Sequence, residues 1–181
     1  MLNTGRNLAQ ARNFQKAADG NPAPMKLDQI DYKILRHLQD DARMTNADLA
    51  EKVGLSPTPC LRRLRRLETD GIIKGYHAEI NRELLGVNVT VIILVKLERE
   101  DDATLREFEA QIKKRPEVME CYLVTGKFDY FIRVVIPSLS AYEVFLSETI
   151  LRMPKVATVE SSFTLREVER KTAIPLQPGV R

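Results

Sequence analysis

Three apolar arcs at helical spacing occupy the first half of the chain. Between Asp28 and Asp40, the residues Ile30, Ile34, Leu35 and Leu38 share one face, which predicts an amphipathic helix. Thr45-Asn46-Ala47-Asp48 has the form of a capping box, opening a short helix that turns Leu49, Ala50 and Val53 inward. Gly54 supplies the left-handed residue that ends it. Leu55 is the apolar turn residue. Ser56 then caps a third helix with Pro57 at its first position, where a proline is tolerated. Cys60, Leu61, Leu64 and Leu67 form its inner arc at about 100° per residue. After Gly71, the run Ile72 to Ala78 places strand formers around a glycine and suits the hairpin of a winged variant. Helix, short helix, glycine turn, basic helix is the helix-turn-helix order. A helical bundle with no DNA role carries the same periodicity.

The second half changes period. Asn88 to Leu97 reads as a strand, Thr104 to Lys114 as a helix with Leu105, Phe108 and Ile112 on one face, and Val118 to Val124 as a strand. Thr125-Gly126-Lys127-Phe128-Asp129 reads as a hairpin connection and Tyr130 to Ile136 as the returning strand. Ser140-Ala141-Tyr142-Glu143 has the form of another capping box, with Leu139 and Val144 as a hydrophobic staple, on a helix that runs to about Arg152 before Pro154. Val156 to Leu165 is the last strand. The order βαββαβ predicts a ferredoxin-like sheet with both helices on one face, so the class is α+β. The first strand is apolar on both sides, Ile92 and Leu94 against Val91, Ile93 and Val95. The sheet face away from the helices therefore needs a second layer. A copy of the same sheet in a two-fold dimer supplies one; the N-terminal half of the same chain is the other source.

Composition sets the domain plan. The 181 residues suffice for two small domains, and 44% hydrophobic content is ample for their cores. We expect a polar arm over 1–24 carrying Arg6, Arg12 and Lys16, a winged helix-turn-helix over 25–80, and a linker over 81–87. A ferredoxin-like domain follows over 88–170, then a tail over 171–181. Residues 1–77 hold 13 Lys/Arg against 9 Asp/Glu, a net +4, while 78–181 hold 15 against 16, so the positive excess lies with the expected DNA reader. No apolar run reaches membrane-spanning length, and no apolar signal core opens the chain. Cys60 and Cys121 have no metal-ligand spacing and fit reduced, buried thiols, so the expectation is a cytoplasmic protein with no metal and no cofactor.

The third helix carries the candidate chemistry. Opposite its apolar arc lie Thr58, Arg62 and Arg66, with Arg63 and Arg65 on the flanks. A guanidinium on such a ridge forks onto guanine O6/N7 or grips a phosphate. We assign base reading to Thr58, Arg62 and Arg66. Ser56, Pro57 and the N–H groups of the helix start form a phosphate site, and Arg63, Arg65 and Lys74 hold the DNA backbone. The same arginines also fit a solvated basic surface. Three functional classes stand side by side: a sequence-specific regulator, a DNA-organising protein with little sequence preference, and a small-molecule enzyme on the ferredoxin-like half. The last is disfavoured because the two histidines, His37 and His77, lie outside that half, and no nucleophile-base pair or phosphate loop is present.

Four stretches together resemble the Lrp/AsnC family of bacterial and archaeal transcription regulators. They are Leu27-Asp28-Gln29-Ile30-Asp31-Tyr32-Lys33-Ile34-Leu35, Val53-Gly54-Leu55-Ser56-Pro57-Thr58-Pro59-Cys60, Arg65-Arg66-Leu67-Glu68, and Leu123 to Tyr130. The Ser-Pro-Thr-Pro-Cys run is similar to the leucine-responsive branch. The resemblance implies a winged helix-turn-helix on double-stranded DNA and a domain that senses an amino acid, leucine or another apolar one. It also implies homodimers that assemble to tetramers or octamers. The effector-binding residues it implies are Thr125, Gly126 and Asp129 of the hairpin, with Ser162 and Thr164 of the last strand; Gly126 and Asp129 are also ordinary turn residues. One departure is Pro154-Lys155-Val156, where the family often has Pro-Gly-Val.

Overall fold

The computed structural model describes residues 25–176, so the arm with Arg6, Arg12 and Lys16 lies outside the described residues, as does the end of the tail. The chain divides into two units. Among the described residues, one comprises 25–80 together with 168–176, and the other 81–167.

The first unit is built on three helices: α1 (Gln29–Asp40), α2 (Asn46–Val53) and α3 (Pro57–Thr69). Asp28 caps α1 by accepting from the Asp31 N–H at 2.9 Å, and the Asp31 carboxylate accepts from the Asp28 N–H at 3.1 Å. This reciprocal box satisfies two donors that the helix start would otherwise leave open. Thr45 caps α2. Gly54, at φ 74°, closes it through a bond from Leu55 N–H to Ala50 O, a reversal that a residue with a Cβ resists. Ile34, Leu49, Ala50, Val53, Cys60 and Leu67 form the buried centre, with Leu27, Leu38, Ile72, Ile73 and Leu176 packed around it.

Two features of this unit differ from the expectations. The hairpin after Gly71 does not form: residues 74–80 carry no strand pairing. Gly75 is not in the left-handed region, and no turn or bend falls within 74–80. Tyr76 instead ties the segment to α3 by donating to Glu68 Oε1 at 2.8 Å. The tail also contributes to this unit. The Gln39 side chain makes a reciprocal pair with the Ile174 backbone, accepting from its N–H at 2.7 Å and donating to its carbonyl at 3.2 Å. Arg36 donates to Leu176 O at 2.8 Å.

The second unit is the expected βαββαβ: β1 (Val89–Leu97), α4 (Asp102–Ile112), β2 (Val118–Leu123), β3 (Tyr130–Ile136), α5 (Leu139–Phe145) and β4 (Val156–Phe163). The strands lie in the order β2-β3-β1-β4, and each pair is antiparallel. Val91, Ile93, Val95 and Leu97 of β1 and Tyr130, Ile132, Val134 and Ile136 of β3 face the helices, packing on Leu105, Phe108, Ile112, Tyr142 and Phe145. Ser138 caps α5 in place of the expected Ser140, because the chain leaves Pro137 extended and turns helical two residues earlier. Leu139 and Val144 are consequently exposed and no staple forms. The helix continues as one π turn over Leu146–Ile150, which buries Thr149 and Ile150. Lys155 adopts φ 65° in the turn before β4.

On the other face of the sheet, Ile92, Leu94 and Phe131 are half-buried and Tyr122 is exposed. Arg133–Glu120 and Lys127–Glu160, each at 2.6 Å, are ion pairs of this unit.

Candidate nucleic-acid interface and effector hairpin

The start of α3 is chemically spare. Ser56 occupies the cap position with extended backbone, but its hydroxyl accepts no capping bond. Pro57 and Pro59 at the first and third helical positions have no N–H, so Thr58 is the one residue of the first three that offers a backbone donor. Of the groups expected to form a phosphate site, the Ser56 hydroxyl and the Thr58 N–H are the donors that the first three helical positions and the cap provide. Asn46 holds the turn in place by donating to Pro57 O at 2.9 Å.

The arginines of α3 separate into two pairs. Cys60 and Leu67 are fully buried whereas Leu61 and Leu64 are half-buried. The inner arc is therefore centred about 40° from the position that all four apolar residues suggest. The outward ridge becomes Thr58, Arg62 and Arg65, all exposed. Arg62 and Arg65 make no ion pair among the described residues. Arg66, expected on that ridge, leans to α1 and donates to Asp31 Oδ2 at 2.5 Å. Arg63 donates to Asp28 Oδ2 at 2.6 Å and to Asp31 Oδ1 at 2.9 Å. The Asp31 side chain is 1% exposed; those of Arg63 and Arg66 are 26% and 47% exposed. The Asp31 N–H, and after it the Arg63 guanidinium, hold the Asp28 carboxyl below its ordinary range. The two carboxylates raise the already high pKa of Arg63. Lys74 is exposed in the segment after α3.

The sequence reading missed Asp28 and Asp31 as partners of α3. Their spacing, a carboxylate at the cap and another three residues on, is a local signal only of a helix start. The link to α3 is tertiary and has no local signal.

In the second unit, Thr125 and Gly126 are exposed at the β2–β3 connection, with Gly126 at φ 128°. Asp129 is 2% exposed and its carboxylate is engaged within the fold. Oδ2 accepts from Leu97 N–H at 2.8 Å and Oδ1 from the Lys96 ammonium. Lys96 also donates to Glu100 at 2.7 Å. Burial pulls the Lys96 pKa down, but the two carboxylates outweigh it and leave it above its ordinary value. Ser162 and Thr164 do not join this cluster. Ser162 is level with Ile92 and Thr164 bonds Thr90, whereas Tyr130, the first residue after the hairpin, is level with Val95 at the other end of β1. The β4 residue that does reach the hairpin is Glu160, through Lys127 at 2.6 Å. Among the described residues no cluster of His, Cys, Asp and Glu is placed to hold a metal, and no helix is long and apolar enough to cross a membrane.

Comparison with known proteins accounts for both units. Residues 27–74 match the winged helix-turn-helix DNA-binding model, and 90–174 match the Lrp/AsnC ligand binding domain. The Bkd operon transcriptional regulator of Pseudomonas aeruginosa is 46% identical over 151 residues, covering 83% of this chain and 99% of that protein. The leucine-responsive regulatory protein of Serratia marcescens is 40% identical over 160 residues, covering 88% and 98%. Among solved structures, a Neisseria meningitidis transcriptional regulator in complex with L-Met superposes with a TM-score of 0.78 at 37% identity, covering 83% of this chain and 97% of that one. AsnC of Escherichia coli superposes with 0.76 at 27% identity, covering 83% and 100%. The order of the units, the βαββαβ topology and these likenesses along most of the chain agree: it belongs to the Lrp/AsnC family of transcriptional regulators.

Proposed function

We propose that this regulator reads double-stranded DNA through α3 and that an apolar amino acid, leucine or methionine first, alters that reading through the second unit. The observation that carries the proposal is the exposed ridge of Thr58, Arg62 and Arg65 directly behind the Gly54 turn, its two guanidinium groups without ion-pair partners among the described residues. Arg62 and Arg65 take base edges, where a bidentate guanidinium discriminates guanine. Ser56, Thr58 and Lys74 hold phosphates. The ion network with α1 takes Arg63 and Arg66 out of that set.

The choice of effector rests on relatives: one is named leucine-responsive, and one solved neighbour holds L-Met. The exposed Thr125 offers a hydroxyl to a carboxylate at this turn. Asp129 shapes that turn from beneath, because its own oxygens are engaged. The half-buried Ile92, Leu94 and Phe131 support a two-fold dimer through the open sheet face, with tetramers or octamers built from it. No catalytic step, metal or cofactor enters this reading, and we place the protein with its DNA in the cytoplasm.

The test is competition between a duplex selected from a random pool and an unselected one, at fixed salt, with each amino acid added in turn. We expect a preference for the selected duplex that changes with one or a few apolar amino acids. Equal affinity for both duplexes would favour a DNA-organising role instead. Loss of an added amino acid on incubation would favour an enzyme.

A further inference from the structure

Asp31 lies in α1, away from the exposed ridge, yet it has two of the four α3 arginines as partners. Its carboxylate accepts three bonds: Arg63 at 2.9 Å, Arg66 at 2.5 Å and the Asp28 N–H at 3.1 Å. Asp28 adds a second carboxylate to Arg63 at 2.6 Å. Two guanidinium and two carboxylate groups close the network, so its formal charge is zero. A buried anion with this many fixed donors is costly to leave unpaired, which holds the arginines to it.

Resting on α3 as the DNA-contacting helix, we propose that Asp31 is a positioning residue for sequence selectivity: it withholds Arg63 and Arg66 from DNA phosphates. Phosphate contacts bind every sequence alike and release counterions, whereas base contacts discriminate. Four unpaired arginines on one short helix would raise affinity for all DNA. With two of them neutralised, α3 presents Arg62 and Arg65, and the ratio of specific to nonspecific binding rises. Arg66 is the sensitive member, because half its side chain is exposed and only one carboxylate oxygen holds it.

The experiment is fluorescence anisotropy of the full chain on selected and random duplexes across a salt series, with circular dichroism to monitor folding. Arg62→Ala is the control for α3: it should lose the preference for the selected duplex by on the order of tenfold or more. If it keeps that preference, α3 is not the reader and both readings fall. Asp31→Asn should bind random duplex more tightly. Its salt dependence should steepen by about one to two units per protomer, since each added phosphate contact contributes about 0.9, and its preference should fall. Arg63→Gln with Arg66→Gln in the parent background should leave the slope unchanged, and the same pair added to Asp31→Asn should restore it. A folded Asp31→Asn with the parent slope and preference would overturn the proposal. So would a flatter slope in the Arg63→Gln/Arg66→Gln protein, which would put those arginines on phosphates already. Should Asp31→Asn fail to fold, the double variant decides: an unchanged slope supports withholding, and a flatter one overturns it.

Discussion

Asp129 lies in the hairpin on which the effector proposal centres, yet its carboxylate is engaged by Lys96 and the Leu97 N–H. Asp129→Asn leaves the largely buried Lys96 ammonium with Glu100 alone, and breaking a buried pair in this way costs about 3 kcal/mol. We expect that loss in a denaturant melt with no effector present; a melt unchanged without effector would return Asp129 to the role of ligand contact. Lys155 is the converse case. A lysine at φ 65° carries a Cβ penalty that glycine avoids, so Lys155→Gly should gain about 1 kcal/mol in the same melt despite losing the 3.1 Å bond to Thr104. The bond from Glu98 N–H to the Lys155 carbonyl involves only backbone and is retained. Tyr76 gives a pH signature. Burial, then the hydrogen bond to Glu68, pushes its hydroxyl up to about 12 from an ordinary 10. Its contribution is complete below about pH 10 and is lost as pH rises through 12, since the folded state holds the proton longer than the unfolded one. Tyr76→Phe should remove that alkaline component from a series of melts at rising pH. Residue identities alone make Arg62 and Arg65 visible as candidate DNA contacts. They could not show that Asp31 binds two neighbouring arginines, because that pairing joins positions more than thirty residues apart.

At the scale of elements, period and punctuation carried most of the information. The apolar arcs of α1, α2 and α3 and the strands of the sheet recur where alternation and capping place them. Errors arose where two local signals competed. Ser138 and Ser140 are both plausible caps, and the extended backbone after Pro137 decides between them. The segment after Gly71 has strand-forming residues, but a strand needs a paired neighbour, and none lies along 74–80. The tail was least legible. Arg170 to Leu176 has no strong periodicity, yet Ile174 pairs with Gln39 and Leu176 packs on the helical core. Leu176→Ala should therefore lower the stability of the DNA-binding unit by about 2 kcal/mol and speed hydrogen exchange in α1. Unchanged α1 exchange would show that the tail rests there without supporting it.

For the whole molecule, one sheet face remains to be covered. Ile92, Leu94 and Phe131 are only half-buried on it and Tyr122 is exposed. Phe131→Asp should shift light scattering from dimer or larger to monomer while leaving circular dichroism unchanged; an assembly of parent size would exclude this face as the contact. Among the described residues the chain also passes between its two units twice, near residues 80 and 168. In genetic terms, the codons of the DNA-binding unit are not contiguous. A nonsense mutation just after codon 168 lies far along the reading frame from the helix-turn-helix and spares every strand of the sheet. It would nonetheless be a lesion of the DNA-binding unit, because Ile174 and Leu176 are lost with it.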